Sequence, residues 1–244
     1  MAAVSNLHLV DQPLACGMTD FATLFLRQPV ETAQPGTSLF FEGDTARHVF
    51  RIVKGNVRIC RFLPDGRRLI IGFLSADDLI GLSFRNRYMF AGEAIDEVSF
   101  TRMNKRGLEE ELQLVPHLRL QLLSQLRDEI SAAQDHMMLL SHKNAEQRLC
   151  TFLLHRLELN SGQDHRTLSL PMVRTDIADH LGMTIETVSR TLTKLVARGV
   201  LLPADKHQFK VASRSALARS ADEDPDNVVE EEELGARYAG TRYQ

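Results

Sequence analysis

Four patterns of apolar and polar positions follow one another along the chain. From Glu31 to Met103, β-type runs at Ser38–Glu42, His48–Val53, Val57–Phe62, Arg68–Phe73 and Glu97–Thr101 alternate with the turn pairs Pro35-Gly36, Gly43-Asp44, Gly55-Asn56 and Asp65-Gly66. Short runs at intervals of about ten residues predict an all-β sandwich or barrel. A short helix is expected ahead of it at Phe21–Leu26. From Pro116 to Lys143 the period changes: Leu123, Ile130 and Met137 recur at seven, as do Leu126, Ala133 and Leu140 at an offset of three. That is an a/d seam on a helix about 42 Å long. A further helix over Ala145–Leu157 carries an apolar stripe of Leu149, Phe152, Leu153 and Leu157.

The fourth pattern, Val173 to Leu202, is the most informative. Ile177, Ala178 and Leu181 form one face of a helix that must stop at Gly182, where glycine tolerates the left-handed backbone of a C-terminal cap. Thr184 offers an N-cap oxygen to the next helix, whose Val188, Leu192 and Leu195 form a buried stripe. The other face presents Glu186, Thr187, Ser189 and Arg190. This is a helix-turn-helix pattern, in which the second helix enters the major groove. A bare amphipathic helical hairpin with a solvated polar face would read in the same way. A strand at Leu168–Leu170 and a hairpin, Val200–Leu202 with Gln208–Val211, would add a wing carrying Lys206, His207 and Lys210.

The residue types suit base reading. Glu186 can accept from the cytosine amino group, Arg190 can donate twice to guanine, and Ser189 can reach a base edge or a phosphate. Positions 186, 189 and 190 share one helical face. Arg174, Thr184, Thr187, Lys194, Arg198 and Lys206 are the candidate phosphate contacts. A helix-turn-helix protein needs two copies to grip two half-sites. Leu123, Leu126, Ile130, Ala133, Met137 and Leu140 are therefore read as a homodimer interface, the alternative being a core helix of one subunit.

Charge sharpens this picture. The net charge of −3 does not advertise a nucleic-acid partner. Residues 172–219, however, hold eight Lys/Arg against four Asp/Glu, and residues 220–244 hold eight acids against two arginines. A basic module is thus hidden by an acidic tail expected to lack fixed structure. The three cysteines, Cys16, Cys60 and Cys150, are too few and too scattered for a disulfide framework, which fits a reducing cytoplasm. No ligand spacing for a metal or iron–sulfur site is present, no apolar run suits a membrane span, and the first residues do not read as a signal peptide. The expected organisation is a flexible segment at 1–20, a β domain at 21–115, a dimerisation helix at 116–143, a winged helix-turn-helix at 144–219 and the tail at 220–244.

This order resembles the transcription regulators of the cAMP-receptor-protein and fumarate–nitrate-reduction (CRP/FNR) superfamily, and within it the FixK subgroup. The resemblance spans about residues 30–215. It is carried by DIADHLGMTIETVSRTLTKL, from Asp176 to Leu195, and by YMFAGEAIDE, from Tyr88 to Glu97. Glu186, Ser189 and Arg190 match the E-x-x-S-R signature with which that branch reads TTGAT-like half-sites. The resemblance implies an α+β fold: a cyclic-nucleotide-binding-like β-barrel (jelly roll), a long dimer helix and a C-terminal winged helix-turn-helix. It also implies RNA polymerase as a partner.

The departures from the family pattern bear on sensing. Leu82 occupies the position of the glutamate that holds the ribose of cyclic AMP, and FAGEAID lacks the Arg-Ser pair that holds its phosphate. Glu93 is expected near that pocket, where it would repel a phosphate. Cys16 and Cys60 lack the neighbours an iron–sulfur cluster requires. No cofactor is therefore expected. The alternative is an effector-gated regulator whose β domain binds haem or a nucleotide, or whose Cys150 is redox-sensitive. His48, His117, His136 and His142 show no ligand spacing, and nothing near Cys150 in the sequence activates it convincingly, Arg148 being two residues away and His155 five. The expectation is a dimeric, cytoplasmic DNA-binding activator of transcription that is not an enzyme.

Overall fold

The computed structural model describes residues 20–82, 86–159, 166–205 and 207–221. Nearly all of the expected flexible N-terminal segment and of the acidic tail, together with Cys16 and Lys206, lies outside the described residues.

Eight strands form two four-stranded antiparallel sheets. One has the order β1 (Val30–Ala33), β8 (Val98–Asn104), β3 (His48–Lys54), β6 (Leu79–Ile80). The other runs β2 (Ser38–Phe40), β7 (Ala91–Ala94), β4 (Val57–Phe62), β5 (Arg68–Leu74). Inward residues of both sheets meet in one core that includes Phe40, Phe50, Ile52, Val57, Ile80, Tyr88 and Phe100. The arrangement is a two-sheet jelly roll, and the described strands do not close into a barrel. The Leu63–Gly66 bend joins β4 to β5, with Gly66 at φ +81° and its amide donating to the Leu63 carbonyl at 2.9 Å. Strand β7, Ala-Gly-Glu-Ala, has little intrinsic β preference. Its pairing with β2 and β4 makes it a strand.

The outer face of the first sheet is covered by helices. Phe21, Leu24 and Phe25 of α1 (Phe21–Leu26) pack with Val49, Met103, Leu108 of α2 (Lys105–Leu114) and Leu118 of α3 (Pro116–His142). Helix α2 falls inside the stretch read as β domain; Asn104 caps it by accepting from the Arg106 amide at 2.9 Å. Helix α3 (Pro116–His142) starts with proline, whose missing N–H costs nothing in a first turn. Leu118 is its one fully buried residue.

The C-terminal module is built on α4 (Ala145–Leu159), α5 (Arg174–Leu181), α6 (Ile185–Ala197) and α7 (Arg214–Ala221). A three-stranded sheet, β10 (Leu201–Asp205), β11 (Gln208–Val211) and β9 (Thr167–Ser169), supplies the wing. Leu149, Leu153, Leu168, Ile177, Leu181, Val188, Leu195 and Leu201 are all fully buried in one core, and Phe73 and Ile95 of the β domain pack onto it. Helix α7 lies beyond the predicted elements because it buries mostly small residues, Ala218 and Ala221, beside Leu217.

Candidate nucleic-acid interface

The turn between α5 and α6 forms as its residues dictate. Gly182 ends α5 at φ 61°, ψ 45°. Thr184 then accepts from the Thr187 amide at 3.2 Å, and the two threonine hydroxyls lie 3.1 Å apart. Helix α6 buries Val188, Thr191, Leu192 and Leu195 and leaves Glu186 and Arg190 exposed. Ser189 is half-buried and accepts from Arg174 Nη1 at 3.2 Å, so the candidate phosphate ligand and a candidate base reader already touch. The Glu186 carboxyl is held below its usual range by its own amide and by the Thr184 hydroxyl.

Farther along α6, Lys194 and Arg198 converge on one carboxylate. Glu146, at the start of α4, bonds Lys194 Nζ and accepts from Arg198 Nη1 at 2.7 Å, and these bonds lower its pKa. Arg198 Nη2 also donates to Ser220 Oγ at 3.2 Å. The structure thus gathers Arg174, Thr184, Glu186, Thr187, Ser189 and Arg190 around the first turns of α6 and ties Lys194 and Arg198 to a protein carboxylate.

The seam on α3 lies open in the single chain: Leu123 is 61% exposed, Ile130 59% and Met137 64%. Ala133 is also exposed, whereas Leu126 and Leu140 are partly covered.

The sensing candidates are placed as follows. Leu82 packs among the α1, α2 and α3 contacts. Glu93 lies on the outer face of its sheet, not in the jelly-roll interior as expected. Strand residues alternate, and its neighbours Gly92 and Ala94 take the inward positions. Its partner is Arg58, whose Nη2 donates to Oε1 at 2.6 Å and Nε to Oε2 at 3.1 Å. Inside the roll, Phe40 packs tilted against Tyr88 at 4.2 Å and stacks on Phe50 at 5.4 Å. A Cβ added at Gly92 would stand 2.7 Å from Ile80 and 2.9 Å from Phe40. Cys150 is fully buried, and burial pushes its thiol up to about 12, far from the reactive thiolate. Among the described residues, no group of three or more His, Cys, Asp or Glu could hold a metal ion.

Sequence reasoning missed an inter-domain cluster. Asp176 in α5 is fully buried; its Oδ2 accepts from Arg58 Nη1 at 2.7 Å and its Oδ1 from Arg68 Nη2. One turn later the His180 ring stacks on His136 of α3 at 4.3 Å and meets Phe73 edge-on at 5.2 Å. Its Nδ1 is 3.2 Å from the Ile70 carbonyl. Burial, then His136, lower its pKa to about 4. Arg148 of α4 donates to Leu140 O at 2.7 Å, Lys143 O at 2.9 Å and Leu181 O at 3.2 Å, joining the end of α3 to the end of α5. Apart from Arg148 with Leu140 and Lys143, these partners are far apart in the chain, and no local pattern announces them.

Known proteins agree with this geometry. Residues 30–114 match the cyclic nucleotide-binding domain family and residues 147–220 the Crp-like helix-turn-helix domain family. The transcriptional activatory protein AadR of Rhodopseudomonas palustris is 40% identical over 164 residues, covering 66% of this chain and 68% of that protein. The nitrogen fixation regulation protein FixK of Bradyrhizobium diazoefficiens is 37% identical over 170 residues, covering 68% of this chain and 71% of its own length. The chain belongs to the CRP/FNR superfamily of DNA-binding transcription regulators. Its branch is the FixK-like one: the solved structure of FixK2 from Bradyrhizobium japonicum superposes with a TM-score of 0.75 at 32% identity, over 79% of this chain and 96% of that one.

Proposed function

We propose that the protein is a homodimeric activator of transcription that places α6 of each copy in successive major grooves of a TTGAT-like palindrome. Glu186, Ser189 and Arg190 read bases. Arg174, Thr184, Thr187, Lys194, Arg198 and Lys206 engage phosphates. The observation that carries this reading is the division of α6: one face is fully buried, while Glu186 and Arg190 stand in solvent beside the Arg174–Ser189 contact. The open seam of Leu123, Ile130 and Met137 supports pairing of two copies along α3, because burying it removes a row of large apolar groups from water.

Regulation without a bound effector is part of the proposal. The aromatic packing around Phe40, Phe50 and Tyr88 and the tight fit at Gly92 both favour it. The buried, high-pKa thiol of Cys150 argues against a redox switch there. RNA polymerase is the expected partner of the activator, the chain is proposed to act in the cytoplasm, and no enzymatic turnover is expected. Among the described residues, no helix is long and apolar enough to cross a membrane.

The test combines light scattering with gel shifts of the untreated protein on the palindrome, with and without reductant and cyclic nucleotide. A dimer that binds without additions, with an affinity falling steeply as salt rises, is expected. A monomer, or a protein that binds only after an addition, would contradict the proposal.

A further inference from the structure

Asp176 points away from the proposed DNA face, toward the β domain, and no solvent reaches it. A carboxylate so placed is strongly unfavourable unless paired. Its two partners come from adjacent strands, Arg58 on β4 and Arg68 on β5, and Glu93 on β7 holds the Arg58 guanidinium from the other side. Arg68 also lies 3.7 Å from Asp179. Asp176, Asp179 and His180 fall at i, i+3 and i+4, so one face of α5 meets the β4–β5 hairpin and, through His136, the long helix. Guanidinium–carboxylate bonds are directional, and fix orientation more than they add net stability when buried.

Helix α5 carries α6 with it, because the two share a core through Ile177, Leu181, Val188 and Leu192 and are joined by one tight turn. Helix α3 is the proposed dimer axis. Whatever fixes α5 against α3 and the β domain therefore fixes how far apart, and at what mutual rotation, two copies of α6 are presented. Each added base pair moves a half-site by about 3.4 Å and turns it by about 34°. A clamped head tolerates such a change poorly, whereas a loosely tethered head adjusts to it.

We propose that Arg58 and Arg68 are positioning residues for DNA reading: without touching DNA, they hold Asp176 so that the dimer accepts one half-site spacing and rejects its neighbours. This rests on the dimeric reading above. The test is competition gel shift with full-length wild type, Arg58→Gln and Arg68→Gln on palindromes of natural spacing and with one or two base pairs inserted or removed. Wild type should prefer the natural spacing by roughly tenfold or more, and each variant should narrow that to about threefold or less. The penalty for changing a base within a half-site should be the same in all three, which a general loss of structure would not give. Arg68, with the more exposed side chain, decides the matter if Arg58→Gln does not fold. Variants that fold and keep the wild-type spacing preference would overturn the clamp. A wild type that binds the palindrome no better than scrambled DNA would instead count against the function proposed above.

Discussion

The two helices of the reading head use charge in opposite ways. Helix α6 keeps its apolar face buried and displays Glu186 and Arg190 to solvent. Helix α5, one turn upstream, buries Asp176 completely and pairs it with arginines from another domain. The charges of Glu186 and Arg190 are available to a partner outside the molecule. The charge of Asp176 is already committed inside it, so the same kind of substitution should register in different measurements at these positions. The head is thus a reader joined to a mount.

The largest effect is expected on the mount. Asp176→Ala leaves Arg58 and Arg68 without their shared carboxylate, and loss of one member of a buried charge cluster typically costs about 3–5 kcal/mol. Urea unfolding should show this as a lower midpoint; an unchanged midpoint would mean that the cluster is not formed in solution. Acidification should come next. His180 is kept neutral in the fold, with its pKa lowered to about 4 from an ordinary 6.5. The unfolded chain therefore binds the proton more readily, so stability is whole above about pH 6.5 and declines as pH falls toward 4, by roughly 3 kcal/mol from this residue. His180→Phe should flatten that part of the stability–pH curve measured by denaturant titration.

Smaller effects are expected where charges face solvent. Ile130→Glu on the α3 seam should leave the β domain folded and shift the mass measured by light scattering from dimer to monomer. Glu146→Gln disturbs only exposed pairs with Lys194 and Arg198, so unfolding should change by about 1 kcal/mol or less. With those cations released from a competing carboxylate, binding to non-specific DNA should tighten modestly and its salt dependence should steepen.

The same contrast explains what could be read from the chain itself. Gly182, Thr184 and the stripe of Val188, Leu192 and Leu195 are local signals, and the helix-turn-helix follows from them. Gly66 at its bend and the seven-residue repeat of α3 were legible for the same reason. Strands β1, β6 and β7 and helices α2 and α7 were not; Ala91–Ala94 and Arg214–Ala221, for instance, owe their form to neighbours distant in sequence. The expectation of Glu93 near the nucleotide pocket fails because β7 carries no local strand signal from which its alternation could be read; its side chain belongs to the Arg58 cluster. The clamp on Asp176 joins residues more than a hundred positions apart, and only the packed domains bring them together.

The base-reading role of α6 is tested most directly by Arg190→Ala, measured as the ratio of affinities for cognate and scrambled duplexes. The side chain is exposed, so stability should move by less than about 0.5 kcal/mol. Binding to the cognate site should weaken by about 1–3 kcal/mol, with discrimination relaxed at one base position. A variant that keeps the wild-type ratio would contradict the assignment of Arg190 to a base edge.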